Sequence, residues 1–212
     1  MRLTVFGASG GVGQEIVRQA LAGGHDVTAV VRDRSRLPVT GERLEIVEVA
    51  TLEDHEKLKD AVAGRDAVLS AVGPRSRKLA GSTAPVTRTI RQAMELAGVR
   101  RLVVVSASPL GPVPEGQPFL LRTVITPIIE QIFKDNYVDL RLMEADLAAS
   151  GLDWTAVRPP QLLNTPTTGA YRTAIDANLR GGRKIGRGDV AHAMLAMVGD
   201  PSTFGHGVGV AY

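Results

Sequence analysis

Apolar and polar positions along this chain follow two periods, and their alternation predicts a series of strands and helices. Short apolar runs bounded by glycine or polar residues are typical of buried strands, whereas apolar residues three or four positions apart are typical of helices. Strands are predicted at 3–6, 27–31, 44–49, 67–72, 102–105 and 154–157. Helices are predicted from Gln14 to the glycines at 23–24 and at 52–63, 86–97, 126–150 and 190–198.

Polar residues mark the predicted beginnings of the last two helices. Thr126 can accept a hydrogen bond from the first turn of the long helix, and Pro127 fits that turn because it needs no backbone N–H there. Asp189 can cap the last helix in the same way. These residues predict one continuous helix over 126–150 and a final helix that begins after Asp189.

The regular alternation of strands and helices predicts an α/β fold. Successive βα units form a parallel sheet with right-handed crossovers, so we expect a Rossmann-type, doubly wound domain. Ligands bind beyond the carboxyl ends of the strands in such sheets. The segments at 74–83, 109–118 and 159–188 are therefore the candidate substrate loops.

The first predicted strand leads through a glycine turn directly into a helix. Gly7 allows the tight turn, Gly10 lets the backbone approach a phosphate, and Gly13 lets the helix pack closely on the strand. The start of the helix offers free N–H groups and a partial positive charge to an anion. This order predicts a site for the pyrophosphate of a dinucleotide, and an ordinary glycine-rich turn is the alternative. The predicted site comprises Gly7, Ala8, Ser9, Gly10, Gly11, Val12 and Gly13.

The length then suits one NAD(P)-binding domain. The chain has 212 residues, which is within the usual range for a single domain. The predicted domain covers 1–212, with a Rossmann core at 1–158, a substrate-loop region at 159–188 and a last helix at 189–198.

Arginine clusters are the main feature of the charge pattern. The net charge is only +3, but arginines concentrate at 32–36, 75–78 and 180–187. Nucleic-acid binding is one interpretation, yet aromatic residues are few and each cluster falls in a predicted loop after a strand. Guanidinium groups bind phosphate in a bidentate fashion, so pockets for a phosphorylated small molecule explain the clusters better.

Composition excludes several other classes. There is no cysteine, so neither a disulfide framework nor a thiolate metal site can form, and the four histidines are scattered. No apolar run reaches membrane-spanning length. We therefore expect a cytoplasmic protein that binds a small-molecule substrate and neither nucleic acid, membrane nor metal. The sequence leaves its oligomeric state open.

Arg32 follows the second predicted strand, 19 positions after Gly13. An acidic residue at this point contacts the ribose of NAD, whereas an arginine accommodates the 2′-phosphate of NADP. Asp33 comes next, so the position is ambiguous by one residue, but the arginine comes first and Arg34 and Arg36 follow it. We expect NADP(H) to be preferred over NAD(H).

Several motifs together resemble those of the short-chain dehydrogenase/reductases. The spacing Gly-x-x-Gly-x-x-Gly at 7–13 is typical of that family rather than of the tighter Gly-x-Gly-x-x-Gly group. Segments spread over nearly the whole chain resemble its atypical, NAD(P)H-binding, NmrA-like branch. They are 31–37, 66–73, 99–106, 150–160 and 189–191. Within that branch, 31–38 and 168–171 are similar to the flavin reductase/biliverdin-IXβ reductase enzymes.

The resemblance implies a cofactor site at the carboxyl ends of the strands. Beyond the glycine turn it implies Arg32, Arg36, Thr51, Val72, Gly73, Arg75, Ser106 and Pro159 as cofactor-binding residues. One departure is at Thr51, where the family usually has an aspartate that contacts the adenine end. The sequence therefore leaves open which residue contacts the adenine end of the cofactor.

The catalytic positions match the family less well. Its members use a Tyr-x-x-x-Lys pair, in which the lysine lowers the pKa of the tyrosine so that the phenol acts as acid or base. Here Tyr137 is followed by Arg141 instead. Tyr137 is the candidate acid, and a core aromatic residue on the helix face is the alternative interpretation.

Two serines after the fifth predicted strand are further catalytic candidates. The family often has two consecutive serines, but here they are Ser106 and Ser108, with Ala107 between them. Ser106 could bond the nicotinamide amide or a reacting carbonyl, or only complete the strand by bonding the backbone. Gln161 stands where flavin reductase-like enzymes carry a histidine, which removes one proton donor.

These observations favour an NADPH-dependent oxidoreductase that transfers hydride to a small acceptor, such as a flavin, a quinone or a carbonyl compound. In the flavin reductase-like enzymes catalysis is mainly placement of a planar acceptor over the nicotinamide, so a dedicated acid is not required. The alternative is a non-catalytic NADP(H)-binding redox sensor of the NmrA-like kind, which the missing Tyr-x-x-x-Lys pair favours. The short C-terminal region argues against isomerase or epimerase chemistry.

Overall fold

Strands and helices alternate along most of the structure, a computed structural model that describes residues 1–73, 81–112 and 133–212. The ten strands of this part are β1 (Arg2–Phe6), β2 (Asp26–Val31), β3 (Leu44–Glu48), β4 (Ala67–Ser70), β5 (Arg101–Val105), β6 (Asp153–Arg158), β7 (Gln161–Leu163), β8 (Arg172–Ile175), β9 (Lys184–Gly186) and β10 (His206–Ala211). Its five α-helices are α1 (Gly11–Ala22), α2 (His55–Val62), α3 (Thr83–Ala97), α4 (Lys134–Ala148) and α5 (Arg187–Val198). None of these helices is long and apolar enough to cross a membrane.

Eight of the strands form one sheet in the order β3-β2-β1-β4-β5-β6-β10-β8. Neighbouring strands are parallel except β10 and β8, which pair antiparallel. β7 and β9 form a separate parallel pair. The order reverses direction at β1, so the carboxyl ends of β1 and β4 border the crevice where doubly wound sheets bind ligands. The prediction of a Rossmann-type, doubly wound α/β fold is confirmed.

Helices cover both faces of the sheet, and each face has its own apolar core. α1 and α5 pack on one face, where Ile16 and Met194 are fully buried. α2, α3 and α4 pack on the other face, around the fully buried Leu58. Successive residues of β1 point to opposite sides, so Val5 belongs to the first core and Phe6 to the second. Burial on both faces explains why the central strands are continuous apolar runs.

Two helices begin at different residues from those predicted because of the carboxylates that cap them. α2 begins at His55 rather than at 52, since the carboxylate of Asp54 accepts a hydrogen bond from its first turn at 3.3 Å. α3 begins at Thr83 rather than at 86. The buried carboxylate of Asp139 on α4 accepts hydrogen bonds from the N–H groups of Thr83 and Ala84, at 2.8 and 3.0 Å.

The single continuous helix predicted over 126–150 is wrong at Phe133, where the structure has a turn. α4 begins at Lys134, after a turn at Phe133. The predicted cap Thr126 and the following Pro127 lie outside the described residues.

The predicted cap of the last helix is also wrong. α5 begins at Arg187, so Asp189 lies within its first turn, fully buried. The Asp189 carboxylate accepts hydrogen bonds from the N–H groups of Thr168 and Gly169, both at 2.8 Å, and from the Tyr212 hydroxyl at 2.6 Å. Burial raises the pKa of Asp189, but these hydrogen bonds outweigh burial and leave its pKa below the ordinary value. Asp189 thus ties a loop and the C-terminal tyrosine to α5.

The sequence pattern did not show the strands that follow β6. The predicted substrate-loop region at 159–188 contains β7, β8 and β9, and β10 extends the main sheet beside β6. Alternating glycines weaken the apolar pattern of β10. They leave space for other groups, because a Cβ at Gly207 would overlap the guanidinium of Arg158 and a Cβ at Gly209 would overlap the carbonyl of Ala177.

Arg101, the first residue of β5, closes the carboxyl end of α5. Its guanidinium donates to the carbonyl oxygens of Val198 and Met197, at 3.0 and 2.5 Å, and lies 4.2 Å from the centroid of the Phe204 ring. Burial lowers the pKa of Arg101 to about 10, which leaves the side chain charged at neutral pH. A buried cation thereby satisfies carbonyl groups that the end of a helix leaves without partners.

Candidate functional site

A cleft opens at the carboxyl ends of β1, β2 and β4, where the strand order reverses. It has an empty volume of about 500 Å³ and lies directly beyond the glycine turn. Its lining residues are Gly7, Ser9, Gly10, Val30, Val31, Arg32, Leu52, Ala71, Val72 and Gly73.

Two glycines are required by the geometry of the turn. Gly7 has a φ of 70°, in the left-handed region, and a Cβ there would lie 2.7 Å from the carbonyl group of Ala71. A Cβ at Gly13 would overlap the carbonyl oxygen of Gly7. Only glycine at these positions lets α1 begin so close to β1, and this close approach places the start of α1 at the cleft.

The first turn of α1 presents backbone donors at the cleft. Gly10 precedes the helix, and no side chain in the described part of the chain caps it. The first N–H groups of a helix have no partner within the helix and carry the positive end of its dipole. An anion beside Gly10 would therefore meet several free donors.

Arg32, rather than Asp33, lines the cleft after β2. The carboxylate of Asp33 accepts hydrogen bonds from the backbone N–H and from the hydroxyl of Ser35, at 3.0 and 2.6 Å. These bonds hold Asp33 at the start of a 3-10 turn over Arg34–Arg36. Of the two residues between which the sequence is ambiguous, the arginine is the one at the cleft wall.

Some of the other predicted cofactor residues line the cleft, and others do not. Val72 and Gly73 line the cleft together with the glycine turn. Ala8 and Val12 are buried, so only their backbone groups are available to a ligand. Arg36 is exposed beyond the cleft lining. The predicted residue Arg75 lies outside the described residues.

Leu52 lines the cleft in the place expected for Thr51. Thr51 is exposed, and its hydroxyl accepts a hydrogen bond from the N–H of Glu53 at 3.2 Å. Sequence reasoning missed Leu52 because it was assigned to the predicted helix at 52–63. The capping residue Asp54 was the signal that Leu52 belongs to the loop before the helix.

Three side chains form a hydrogen-bonded group at the carboxyl ends of β5 and β6. Ser106, directly after β5, donates its hydroxyl proton to Glu144 on α4, with 2.6 Å between the two oxygens. Arg158, the last residue of β6, donates to both oxygens of the same carboxylate at 3.1 and 2.5 Å. Ser106 is buried, and the Glu144 and Arg158 side chains are only 12% and 13% exposed. The oxygen of Ser106 keeps a lone pair for a donor while its proton is held by Glu144.

Ser108 and Pro159 lie next to this group. The N–H of Ser108 donates to the carbonyl of Pro159 at 3.0 Å and so joins the loops after β5 and β6. Ser108 and Arg158 also line a second pocket, with an empty volume of about 320 Å³. Asn178, after β8, lines the same pocket and donates to the carbonyl of Ser108 at 2.6 Å.

Tyr137 lies seven residues before Glu144 on α4, which is about 10 Å along the helix axis. Its ring stands 6.1 Å from that of Phe133, centroid to centroid. Arg141, which takes the place of the family's lysine, is exposed. The hydroxyl of Ser106 bonds Glu144, so the described contacts do not join Ser106 and Tyr137 into one catalytic pair.

Sequence reasoning missed Glu144 as a functional candidate. A signal for it was present, because Glu144 follows the buried Met143 on a helix that packs against the sheet. Arg158 likewise follows the buried Val157 at the end of an apolar strand. Two opposite charges at such positions indicate a buried pair.

Proteins that combine a reversal of strand order with a glycine turn at the resulting crevice bind dinucleotides, and this chain is of that Rossmann class. A family model described as NAD(P)H-binding matches residues 7–201, and the chain belongs to this family. The match covers the glycine turn, the walls of the cleft and the lining of the second pocket except Gly209, Val210 and Ala211 on β10. The resemblance to the atypical, NmrA-like branch of the short-chain dehydrogenase/reductases is confirmed.

Relatives of the chain carry different names. A Bacillus subtilis protein named as an uncharacterized sugar epimerase, YhfK, is 27% identical, and the match covers 96% of this chain and 90% of that protein. A Streptococcus pneumoniae structure, of a protein proposed to be an NADH-flavin reductase, is 26% identical with a TM-score of 0.81 and covers 100% of this chain and 99% of that one.

A structure with a bound dinucleotide has the same fold. It is a short-chain dehydrogenase/reductase of Veillonella parvula in complex with NADP, with a TM-score of 0.82 at 20% identity, covering 100% of this chain and 94% of that one. The family and these neighbours together support a nicotinamide cofactor and an oxidoreductase-like fold.

Proposed function

We propose that this chain is an NADPH-dependent reductase that transfers hydride to a small acceptor. The observation that carries the proposal is the presence of two sites at one edge of the sheet. The cleft beyond β1, β2 and β4 has the glycine turn that a dinucleotide needs, and the second pocket, beyond β5 and β6, is an open depression at which we propose that a small molecule binds. The acceptor classes we propose are flavins, quinones and carbonyl compounds.

Arg32 supports a preference for NADP(H) over NAD(H). It lines the cleft after β2, and no carboxylate of the described residues forms an ion pair with it. The neighbouring Asp33 is bonded to Ser35 instead. A guanidinium without a carboxylate partner can bind a 2′-phosphate through two hydrogen bonds, whereas a carboxylate at this place would repel it.

Among the residues that the structure describes, Ser106 is our candidate for orienting the reacting end of the cofactor, because it directly follows β5 at the carboxyl edge of the sheet. Bound NADPH would supply the hydride. The Ser106 oxygen can accept a hydrogen bond from the carboxamide of the nicotinamide, and the bonds from Ser106 and Arg158 to Glu144 hold that oxygen in place. The acceptor would occupy the pocket that Ser108 and Arg158 line, and its proton would come from water.

A non-catalytic NADP(H)-binding regulator is the second candidate function. The specific observation that favours it is the hydrogen bond from Ser106 to Glu144, because it takes up the serine proton that a carbonyl reductase would use. A protein with this function would bind NADP(H) in the cleft without transferring hydride to an acceptor.

The test is to measure NADPH binding by fluorescence and then to follow NADPH absorbance with flavins, quinones and aldehydes. We expect oxidation with at least one of these classes. Gly10→Val is the comparison variant, in which a side chain should block the cofactor cleft. The backbone of Gly10 has φ −83° and ψ 163°, which any residue adopts, although a Cβ there would lie 3.2 Å from the carbonyl oxygen of Gly7, so circular dichroism checks that the variant folds. A valine side chain at this position of the lining would narrow the cleft. We expect the folded variant to lose both binding and turnover.

The outcomes separate the two candidates. Tight binding of NADPH without oxidation by any acceptor would contradict the reductase and support the regulator. Absence of dinucleotide binding would contradict both. Turnover that persists in Gly10→Val would show that the cleft is not the cofactor site.

A further inference from the structure

Arg187, the first residue of α5, lies across the first residue of α1. A Cβ at Gly11 would stand 2.7 Å from Cδ and 3.0 Å from Nε of Arg187. The arginine therefore occupies the space that a side chain at position 11 would fill. α1 begins at Gly11, directly after Gly10 in the cleft wall, so the guanidinium lies beside the start of α1, one residue beyond the cleft lining.

The backbone does not require glycine at position 11. Gly11 is helical and is not among the described glycines with a positive φ. Alanine is a better helix former than glycine, so helix stability alone would favour a side chain here. What the glycine provides is room for Arg187.

A cation at this place is unfavourable unless an anion joins it. The start of a helix carries positive partial charge, which attracts anions and repels an arginine. The Nη1 of Arg187 donates to the amide oxygen of Asn164, which is neutral. No carboxylate among the described residues forms an ion pair with Arg187. Its contact with Asn164 orients the guanidinium, and no carboxylate within the described ranges compensates its charge.

We propose that Arg187 binds the pyrophosphate of the dinucleotide from the α5 side, and that Gly11 admits it to that position. The pyrophosphate would lie between two sets of donors, the N–H groups at the start of α1 and the guanidinium of Arg187. This inference rests on the proposed function in requiring a dinucleotide in the cleft. The pyrophosphate is common to NADP(H) and NAD(H), so Arg187 raises the affinity for both, whereas Arg32 discriminates between them.

The first experiment compares dissociation constants of NADPH, NADH, ADP and AMP for the wild-type chain and Arg187→Met. We expect binding of NADPH, NADH and ADP to weaken by about tenfold each, because hydrogen bonds between charged groups are lost. AMP lacks the second phosphate and should lose less. Arg43→Met is the matched control, because Arg43 is an exposed arginine just before the amino end of β3, and this variant should bind all four ligands as the wild type does.

The second experiment is a double-mutant cycle with Gly11→Ala. The new methyl group would displace the guanidinium without removing its charge, so we expect Gly11→Ala to weaken NADPH binding while its unfolding temperature stays at or above that of the wild type. In the Arg187→Met background the same change should have no further effect, because there is no guanidinium to displace. Arg187→Lys should recover part of the affinity.

The possible results are distinguishable. Unchanged NADPH and ADP affinity in folded Arg187→Met would overturn this inference and leave the proposed function intact. Equal losses for AMP and ADP would also overturn it, because they would place Arg187 at another part of the ligand. Additive effects in the cycle would overturn the role assigned to Gly11. A wild-type chain that binds no dinucleotide would overturn the inference and the proposed function together.

Discussion

Ser106 donates its hydroxyl proton to Glu144 at 2.6 Å, so its oxygen is left to a ligand only as a hydrogen-bond acceptor. The same carboxylate accepts two hydrogen bonds from Arg158 in a largely buried place. The three side chains together fix the direction of the serine hydroxyl. We therefore expect Ser106 to orient a ligand rather than to protonate a carbonyl group.

Ser106→Ala should therefore weaken turnover rather than abolish it. If Ser106 only orients the cofactor, we expect kcat/KM for NADPH to fall by about tenfold or less, because general acid catalysis is worth roughly 100-fold or more. The measurement is steady-state kinetics with the best acceptor over a range of pH. A loss of several hundredfold, or a changed pH profile, would instead assign Ser106 as the acid.

Glu144→Ala should destabilise the fold, because it leaves the Arg158 guanidinium buried without its carboxylate. Removing one partner of a buried pair costs about 3 kcal/mol of the free energy of unfolding, which urea titration measures. The double variant with Arg158→Met should recover most of that loss. Glu15→Ala, which breaks the more exposed ion pair with Arg18, is the control and should cost less than about 1 kcal/mol.

Additive losses in the Glu144 and Arg158 double variant would contradict this interpretation. They would mean that each side chain contributes through packing rather than through their mutual ion pair.

Arg32→Ala should change the choice of cofactor. We expect the affinity for NADPH to fall by about tenfold or more, because charged hydrogen bonds to the 2′-phosphate are lost. The affinity for NADH, which has no such phosphate, should stay within about twofold. Direct titration of both cofactors provides the ratio of the NADPH and NADH affinities. Arg34→Ala, in the exposed turn beside Arg32, is the control. An affinity ratio that Arg32→Ala leaves unchanged would refute the assignment of Arg32 to the 2′-phosphate.

The glycine turn and the central strands were predictable because they depend on local chemistry. β1 and the start of α1 follow from an apolar run and from glycines that a close approach of backbone requires. The sequence left the residue for the ribose end of the cofactor between Arg32 and Asp33, and this assignment stays a prediction. That Arg32 lines the cleft while Ser35 donates to the carboxylate of Asp33 could be seen only in the structure.

The parts that were not predictable depend on contacts between residues distant in the sequence. α3 begins early because Asp139, 56 residues beyond Thr83, accepts hydrogen bonds from its first turn. β10 has glycines where neighbouring groups approach, so its apolar pattern is interrupted. Glu144 is connected to Ser106 and Arg158 only through the packing of α4 against the sheet.

Asp189 should make the stability of the fold depend on pH in the acid range. Its folded pKa is below the ordinary 3.8: burial raises it, but hydrogen bonds from Tyr212, Gly169 and Thr168 lower it more. The unfolded chain therefore binds the proton more readily. The contribution of ionised Asp189 to the stability of the fold is complete above the unfolded pKa and is lost as pH falls through the folded pKa.

The test is the difference in the free energy of unfolding between the wild type and Asp189→Asn, measured in urea at several pH values. We expect about 2 kcal/mol at neutral pH and a decreasing difference below about pH 4. Tyr212→Phe should shift that decrease to higher pH, and a difference that stays constant into strong acid would contradict the role assigned to the ionised carboxylate.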